Sequence, residues 1–186
     1  MLKHVPNILT IVRFFLIPFI LVFILKDMYI VSAIFLVISG ITDVLDGFIA
    51  RKYNLISNFG KLMDPLADKA TQITTLIALT GKGLIPLWII IIVLIKEVAM
   101  VAGASFLYGK NMVVSSKWYG KISTVIFYVA IFFSMLIKEF NLPEIYMQYN
   151  QYIYYIGVAF TIFSLVMYFK LFYIKDLIKE NSTKNS

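Results

Sequence analysis

The chain has 186 residues, 61% of them hydrophobic and 16% aromatic, with a mean hydropathy of +0.88. That composition excludes an ordinary soluble domain and leaves room for one membrane-embedded domain over residues 1–186. The absence of cysteine rules out a disulfide framework or a thiol nucleophile, and the net charge of +7 points to membrane topology and anionic lipid headgroups, with no nucleic acid expected as a partner.

Residues 1–7 are a short polar start without a cleavage site, so the first apolar segment is expected to be retained. His4 is the one histidine, and a lone histidine this near the terminus is expected at the surface. Span one is expected from Ile8 to Leu25, interrupted by Arg13 one turn in. Arg13 has two readings: an arginine snorkelling to the interface, or a ligand-contacting residue. Lys26-Asp27 is a tight loop, and span two runs from Met28 to Ala50.

The last third of span two carries Asp43 and Asp46, which lie 60° apart on one helix face at 100° per residue. Gly47 and Ala50 fall on that same face, leaving bare backbone beside two carboxylates. A polar loop from Arg51 to Phe59 leads to Gly60 and to span three, Lys61 to Thr80, whose first turns hold Asp64 and Asp68 four residues apart. Pro65 is tolerated there because a proline in the first turn loses little hydrogen bonding. Four of the ten acidic residues therefore fall within 26 positions flanked by apolar helix. Each carboxylate in such a place costs about 2.5–3.5 kcal/mol. Bound divalent metal is the cheapest compensation, and hard oxygen donors of this kind suit Mg²⁺ or Mn²⁺. Two-metal carboxylate sites serve displacement at phosphorus.

Gly81-Lys82-Gly83 is a turn, and span four runs from Leu84 to Tyr108 with Lys96-Glu97 near its middle. That pair is either functional or a mutually neutralised structural pair. Gly109 to Tyr119 is polar and basic, span five is Gly120 to Ile137, and Lys138 to Asn150 is an outer loop. Span six is Ile153 to Tyr173, flanked by an interfacial belt of tyrosines, and a polar tail expected to be disordered follows from Ile174 to Ser186. Counting those in or near the span ends, eleven lysines and arginines lie on the N-terminal side of the membrane and only Lys26, Lys82 and Lys138 on the other. Both termini and the aspartates are thus expected at the cytoplasmic face of the cell membrane.

The run Asp-x-x-Asp-Gly-x-x-Ala-Arg, eight residues, Gly-x-x-x-Asp-x-x-x-Asp resembles the signature of the CDP-alcohol phosphatidyltransferases, with all eight positions present: Asp43, Asp46, Gly47, Ala50, Arg51, Gly60, Asp64 and Asp68. The start Pro6, Asn7, Leu9, Thr10, Arg13 is similar to a run common in that family. The resemblance implies an all-α integral membrane fold: a six-transmembrane-helix bundle with a short N-terminal interfacial segment. It implies CDP-diacylglycerol as donor and a two-metal site of Mg²⁺ or Mn²⁺ on Asp43, Asp46, Asp64 and Asp68, with Asp68 also the general base. It places Asn7, Asp43, Asp46, Gly47, Ala50, Arg51, Ser57, Gly60 and Asp64 at the CDP moiety, although a loop serine such as Ser57 is more often simply solvated. By the same analogy a homodimer is expected.

The acceptor follows less directly. Length, span number and N-terminal run resemble the branch that transfers the phosphatidyl group to glycerol 3-phosphate, giving phosphatidylglycerophosphate and CMP. Its acceptor phosphate would need cations, for which Lys96, Lys117 and Lys121 are candidates, each alternatively a topology or interfacial lysine. Two departures weigh against that branch: Lys96-Glu97-Val98 stands where Arg-Glu-Phe is usual, and Gly120-Lys121-Ile122-Ser123-Thr124 where Gly-Lys-x-Lys-Thr is usual. The CMP-forming branch that makes cardiolipin from phosphatidylglycerol is the alternative. A channel or transporter would be expected to show repeat symmetry or broken helices near the midplane, which this chain lacks.

Overall fold

The computed structural model describes the backbone of residues 5–53, 58–108 and 118–184, and the side chains of 8–50, 52, 53, 60, 63–100, 118 and 120–170. Six helices follow one another: α1 (Val5–Leu25), α2 (Tyr29–Lys52), α3 (Asn58–Gly81), α4 (Leu87–Tyr108), α5 (Trp118–Glu139) and α6 (Glu144–Lys184). No strand occurs among the described residues. Stretches of α1, α2, α5 and α6 (Ile8–Leu25, Tyr29–Ala50, Gly120–Glu139 and Glu144–Lys170) are long and apolar enough to cross a membrane. The charges of Lys61, Asp64, Asp68 and Lys69 keep α3 below that standard, and the described side chains of α4 stop at Met100.

Burial is inverted relative to a soluble bundle. Thr10, Arg13, Ser32, Ser39, Asp46, Gln72 and Thr75 are buried, whereas Ile8, Phe15, Val44, Leu45 and Phe48 are exposed. Such a surface is stable only against lipid. The protein is a multi-pass membrane protein.

Two units make up the chain, Met1–Pro86 with Ala130–Asn150, and Leu87–Val129 with Gln151–Ser186. In the first, α1 packs against both α2 and α3. Ile20, Ile24, Ala33, Leu36, Ala67, Leu76 and Leu79 form its core. Phe35 of α2 stacks on Phe19 and Phe23 of α1, with ring centroids 5.6 and 5.3 Å apart. Ser32 donates to the carbonyl of Ile20 across the same pair, at 3.0 Å. Small and hydroxyl residues at these contacts let helix backbones approach without a water-driven hydrophobic term.

Three C-terminal caps of one design end α1, α3 and α5. Asp27 (φ 60°), Gly83 (φ 73°) and Asn141 (φ 47°) are left-handed. The following amide reaches back five residues each time: Met28 to Phe23 at 2.9 Å, Leu84 to Leu79 at 3.0 Å and Leu142 to Ile137 at 3.0 Å. This is the Schellman arrangement, and it satisfies carbonyls that the helix end would otherwise strand. Side chains tie the caps together. Lys82 and Tyr29 each donate to Asp27 at 2.7 Å, and the Ile30 amide donates to the Glu139 carboxylate at 3.1 Å. The ammonium of Lys82, then the Tyr29 hydroxyl, hold the Asp27 carboxyl below its ordinary pKa.

In the second unit, Trp88 stacks on Tyr155 at 5.7 Å and Ser123 shares a 2.6 Å hydrogen bond with Thr161. Gly157 is needed for close approach: a Cβ there would lie 3.2 Å from Ile126 and 3.3 Å from Phe127. Residues 144–150, expected in an outer loop, are helical, and the tail expected to be irregular from Ile174 continues as helix to Lys184. Nothing between Pro143 and Ser186 is proline, and Glu144 in the first turn complements the helix dipole, so no local signal halts α6. The Pro6–Arg13 run belongs to α1, which runs unbroken from Val5 to Leu25.

Candidate active site

Opposite the capped loops, the start of α1, the end of α2 and the start of α3 meet. Thr10 and Arg13 are three residues apart, on one face of α1. Both are fully buried, Arg13 at 1% exposure, although span one is otherwise apolar around them. Arg13 Nη1 contacts Asp43 Oδ1 at 2.6 Å and donates to the Asp64 carbonyl at 3.4 Å, while Nη2 pairs with the Asp46 carboxylate. Thr10 Oγ1 donates to the Asp64 carboxylate. One guanidinium and one hydroxyl thus collect groups from α2 and α3 onto α1.

Three of the four expected aspartates are therefore brought to one place by direct contact. Asp46 is buried, and the Asp43 side chain remains 46% exposed. Asp68 is half-buried, one turn beyond Asp64, and both act electrostatically on Asp43. Arg13 offsets one negative charge of this group. Charges in so apolar a setting are costly unless balanced.

The donor set is all carboxylate oxygen, with no sulfur or imidazole, which fits Mg²⁺ or Mn²⁺. Among the described residues, however, no three such side chains form a ready-made cage for an ion. The geometry explains why. Arg13 occupies the position between Asp43 and Asp46, and Asp64 is turned toward Thr10.

Snorkelling, one of the two readings of Arg13, does not hold: a residue at 1% exposure with two carboxylate partners is an internal counter-ion. Thr10 was not singled out as a site residue. The signal for both lies in the hairpin itself, because Arg13 and Asp43 stand nearly equidistant from the Asp27 turn between antiparallel α1 and α2.

The other expected site residues divide as follows. Gly47 and Ala50 lie half-buried on α2, one turn from the aspartates, and Gly60 is buried on α3. Asn7 and Arg51 sit on the α1 and α2 backbones with side chains outside the described residues, where Ser57 and Lys117 also lie. In the second unit, Lys96 is buried and paired with Glu97 at 2.7 Å, so that pair carries no net charge, and Lys121 is exposed near the start of α5.

Residues 3–163 match the family model described as CDP-alcohol phosphatidyltransferase. A CDP-diacylglycerol–glycerol-3-phosphate 3-phosphatidyltransferase of Mycoplasma genitalium is 34% identical over 136 residues, which are 69% of this chain and 58% of that protein. The protein of the same name from Bacillus subtilis is 35% identical over 136 residues, 65% of this chain and 70% of that one. A CMP-forming cardiolipin synthase of Streptomyces coelicolor is 37% identical over 101 residues, 50% of this chain and 46% of that one. The chain thus spans less than two thirds of the Mycoplasma genitalium and Streptomyces coelicolor relatives and about seven tenths of the Bacillus subtilis one.

Proposed function

The chain belongs to the CDP-alcohol phosphatidyltransferase family, and from that membership we propose that it transfers the phosphatidyl group of CDP-diacylglycerol to glycerol 3-phosphate, releasing CMP. The observation that carries this reading is the convergence of Asp43, Asp46 and Asp64 on Arg13 and Thr10. The names of the relatives from Mycoplasma genitalium and Bacillus subtilis support the acceptor.

Asp43, Asp46, Asp64 and Asp68 would hold Mg²⁺ or Mn²⁺, which when bound stabilises charge developing on the phosphoryl oxygens. Thr10 orients Asp64 through its hydroxyl, and the rigid α1–α2–α3 packing keeps the carboxylates in register. Gly47, Ala50 and Gly60 lack bulk where the donor's nucleotide would approach, with Asn7, Arg51 and Ser57 as its polar contacts. Asp68 accepts the proton of the acceptor hydroxyl. That oxygen bonds to the phosphorus bearing diacylglycerol, the bond to the CMP oxygen breaks, and CMP leaves with the electron pair. No covalent enzyme intermediate is needed. The acceptor's phosphate calls for cationic side chains, for which Lys117 and Lys121 are the candidates, and Lys96 only if it leaves Glu97. The lysine and arginine bias supports a site on the cytoplasmic side of the cell membrane, and family analogy suggests a homodimer.

The test is CMP release by the purified protein with CDP-diacylglycerol, Mg²⁺ or Mn²⁺ and a panel of alcohols. Glycerol 3-phosphate is expected to support turnover. Release with phosphatidylglycerol alone would favour cardiolipin synthesis, the second reading, which the Streptomyces coelicolor relative supports. No CMP with any acceptor would overturn both.

A further inference from the structure

We propose that Arg13 competes with the divalent ion for Asp43 and Asp46: its guanidinium holds the two carboxylates together, and it must yield that position before an ion can bind both. The inference rests on the reading of the four aspartates as a metal site. Three features of Arg13 carry it. Its guanidinium lies between the two carboxylates, with Nη1 on Asp43 at 2.6 Å and Nη2 on Asp46. It is shut off from solvent and headgroups at 1% exposure, so the aspartates are what satisfies its charge. Its Nε–H has no hydrogen-bond partner among the described residues, so the fit is imperfect.

The physical argument is one of exchange. Without a cation, neighbouring carboxylates in an apolar bundle repel one another and splay, or the helix ends carrying them separate. A single guanidinium offsets one of those charges and keeps α1 and α2 closed at this end. A divalent ion offsets two and is a more compact ligand for hard oxygens. Occupancy by Arg13 therefore preserves the ion-free fold at the expense of ion affinity. The fraction of molecules with the carboxylates open to the ion is small, and the apparent dissociation constant rises in inverse proportion to it.

The experiment measures Mn²⁺ binding to detergent-purified protein at fixed pH, from the loss of the free-ion paramagnetic resonance signal, together with the melting temperature in chelator and in excess Mn²⁺. Arg13→Gln is expected to melt lower than the wild type in chelator and to bind Mn²⁺ about tenfold more tightly, since the open fraction rises toward one. The melting deficit is expected to shrink once Mn²⁺ is added. Arg13→Lys keeps the charge but loses the fork and should fall between the two. It alone carries the test if the glutamine variant cannot be purified folded. Equal or weaker Mn²⁺ binding by a folded Arg13 variant would overturn the proposal while leaving the metal site standing. A wild type that binds no Mn²⁺ would overturn the metal site itself, and this inference with it.

Discussion

The two ends of the α1–α2–α3 unit are built from opposite materials. At the loop end, left-handed caps at Asp27 and Gly83 close the helices with backbone hydrogen bonds, Asp27 pairs with Lys82, and Glu139 accepts from the Ile30 amide. At the other end, the carboxylates of Asp43 and Asp46 share one deeply buried arginine, Asp64 is held by Thr10, and Asp68 follows one turn further along α3. The first end minimises its own free energy. The second carries the four carboxylates proposed to hold the ion, so its side chains serve the proposed chemistry first. Changes at the loop end should therefore cost stability and spare chemistry, whereas changes at the carboxylate end should do the reverse except where they touch Arg13's partners.

Asp68→Asn provides the largest expected effect. Loss of the general base should lower turnover by about 10³-fold, within the usual range for such groups, while CDP-diacylglycerol binding persists. Near-normal CMP release by this variant would remove the base assignment. Asp46→Ala is expected to abolish activity as well but also to destabilise, by about 3 kcal/mol, the lower end of the cost of breaking a buried pair because Arg13 keeps Asp43. Chemical denaturation in micelles measures it, and an unchanged midpoint would mean that Arg13 contributes nothing to closing this end.

At the loop end, Glu139→Ala removes the acceptor for the Ile30 amide and should cost about 1 kcal/mol, as for loss of a helix cap, with CMP release per folded molecule unchanged. A fall in turnover without a fall in stability would break the contrast between the ends. The smallest effect is expected from the exposed Asp27–Lys82 pair. The Asp27 pKa lies below its ordinary value, so the native state binds fewer protons there than the unfolded chain. The stabilisation is present above the ordinary carboxylate range and is lost as pH falls through the folded-state value. Melting curves between about pH 6 and about pH 3 should therefore drop less steeply for Asp27→Asn than for the wild type. Parallel curves would show that this pair is neutral to stability.

Much of this was legible from residue spacing. The acidic pairs at 43/46 and 64/68, the tight turns at Asp27 and Gly83, and the lipid-facing composition all rest on local periodicity or single-residue preference. Arg13 was visible as an anomaly, but not its partners, because they are thirty or more residues away and are fixed by helix pairing. The extent of α6 was misjudged for a related reason. Tyrosine clusters are equally at home in an interfacial loop and on a helix, and only the continuing backbone from Glu144 distinguishes them. Lys96-Glu97 reads from the sequence as either a functional or a mutually neutralised pair, and only the side-chain geometry shows the Lys96 ammonium resting on the Glu97 carboxylate.

By itself the amino-acid order determined which oxygen donors this protein owns, their spacing on each helix and the apolar solvent they must live in, since these follow from the 3.6-residue period and from transfer energies. Only the tertiary structure decided which basic side chain meets them. That choice depends on the depth at which α1 lies against α2 and α3, a packing property that no single segment encodes.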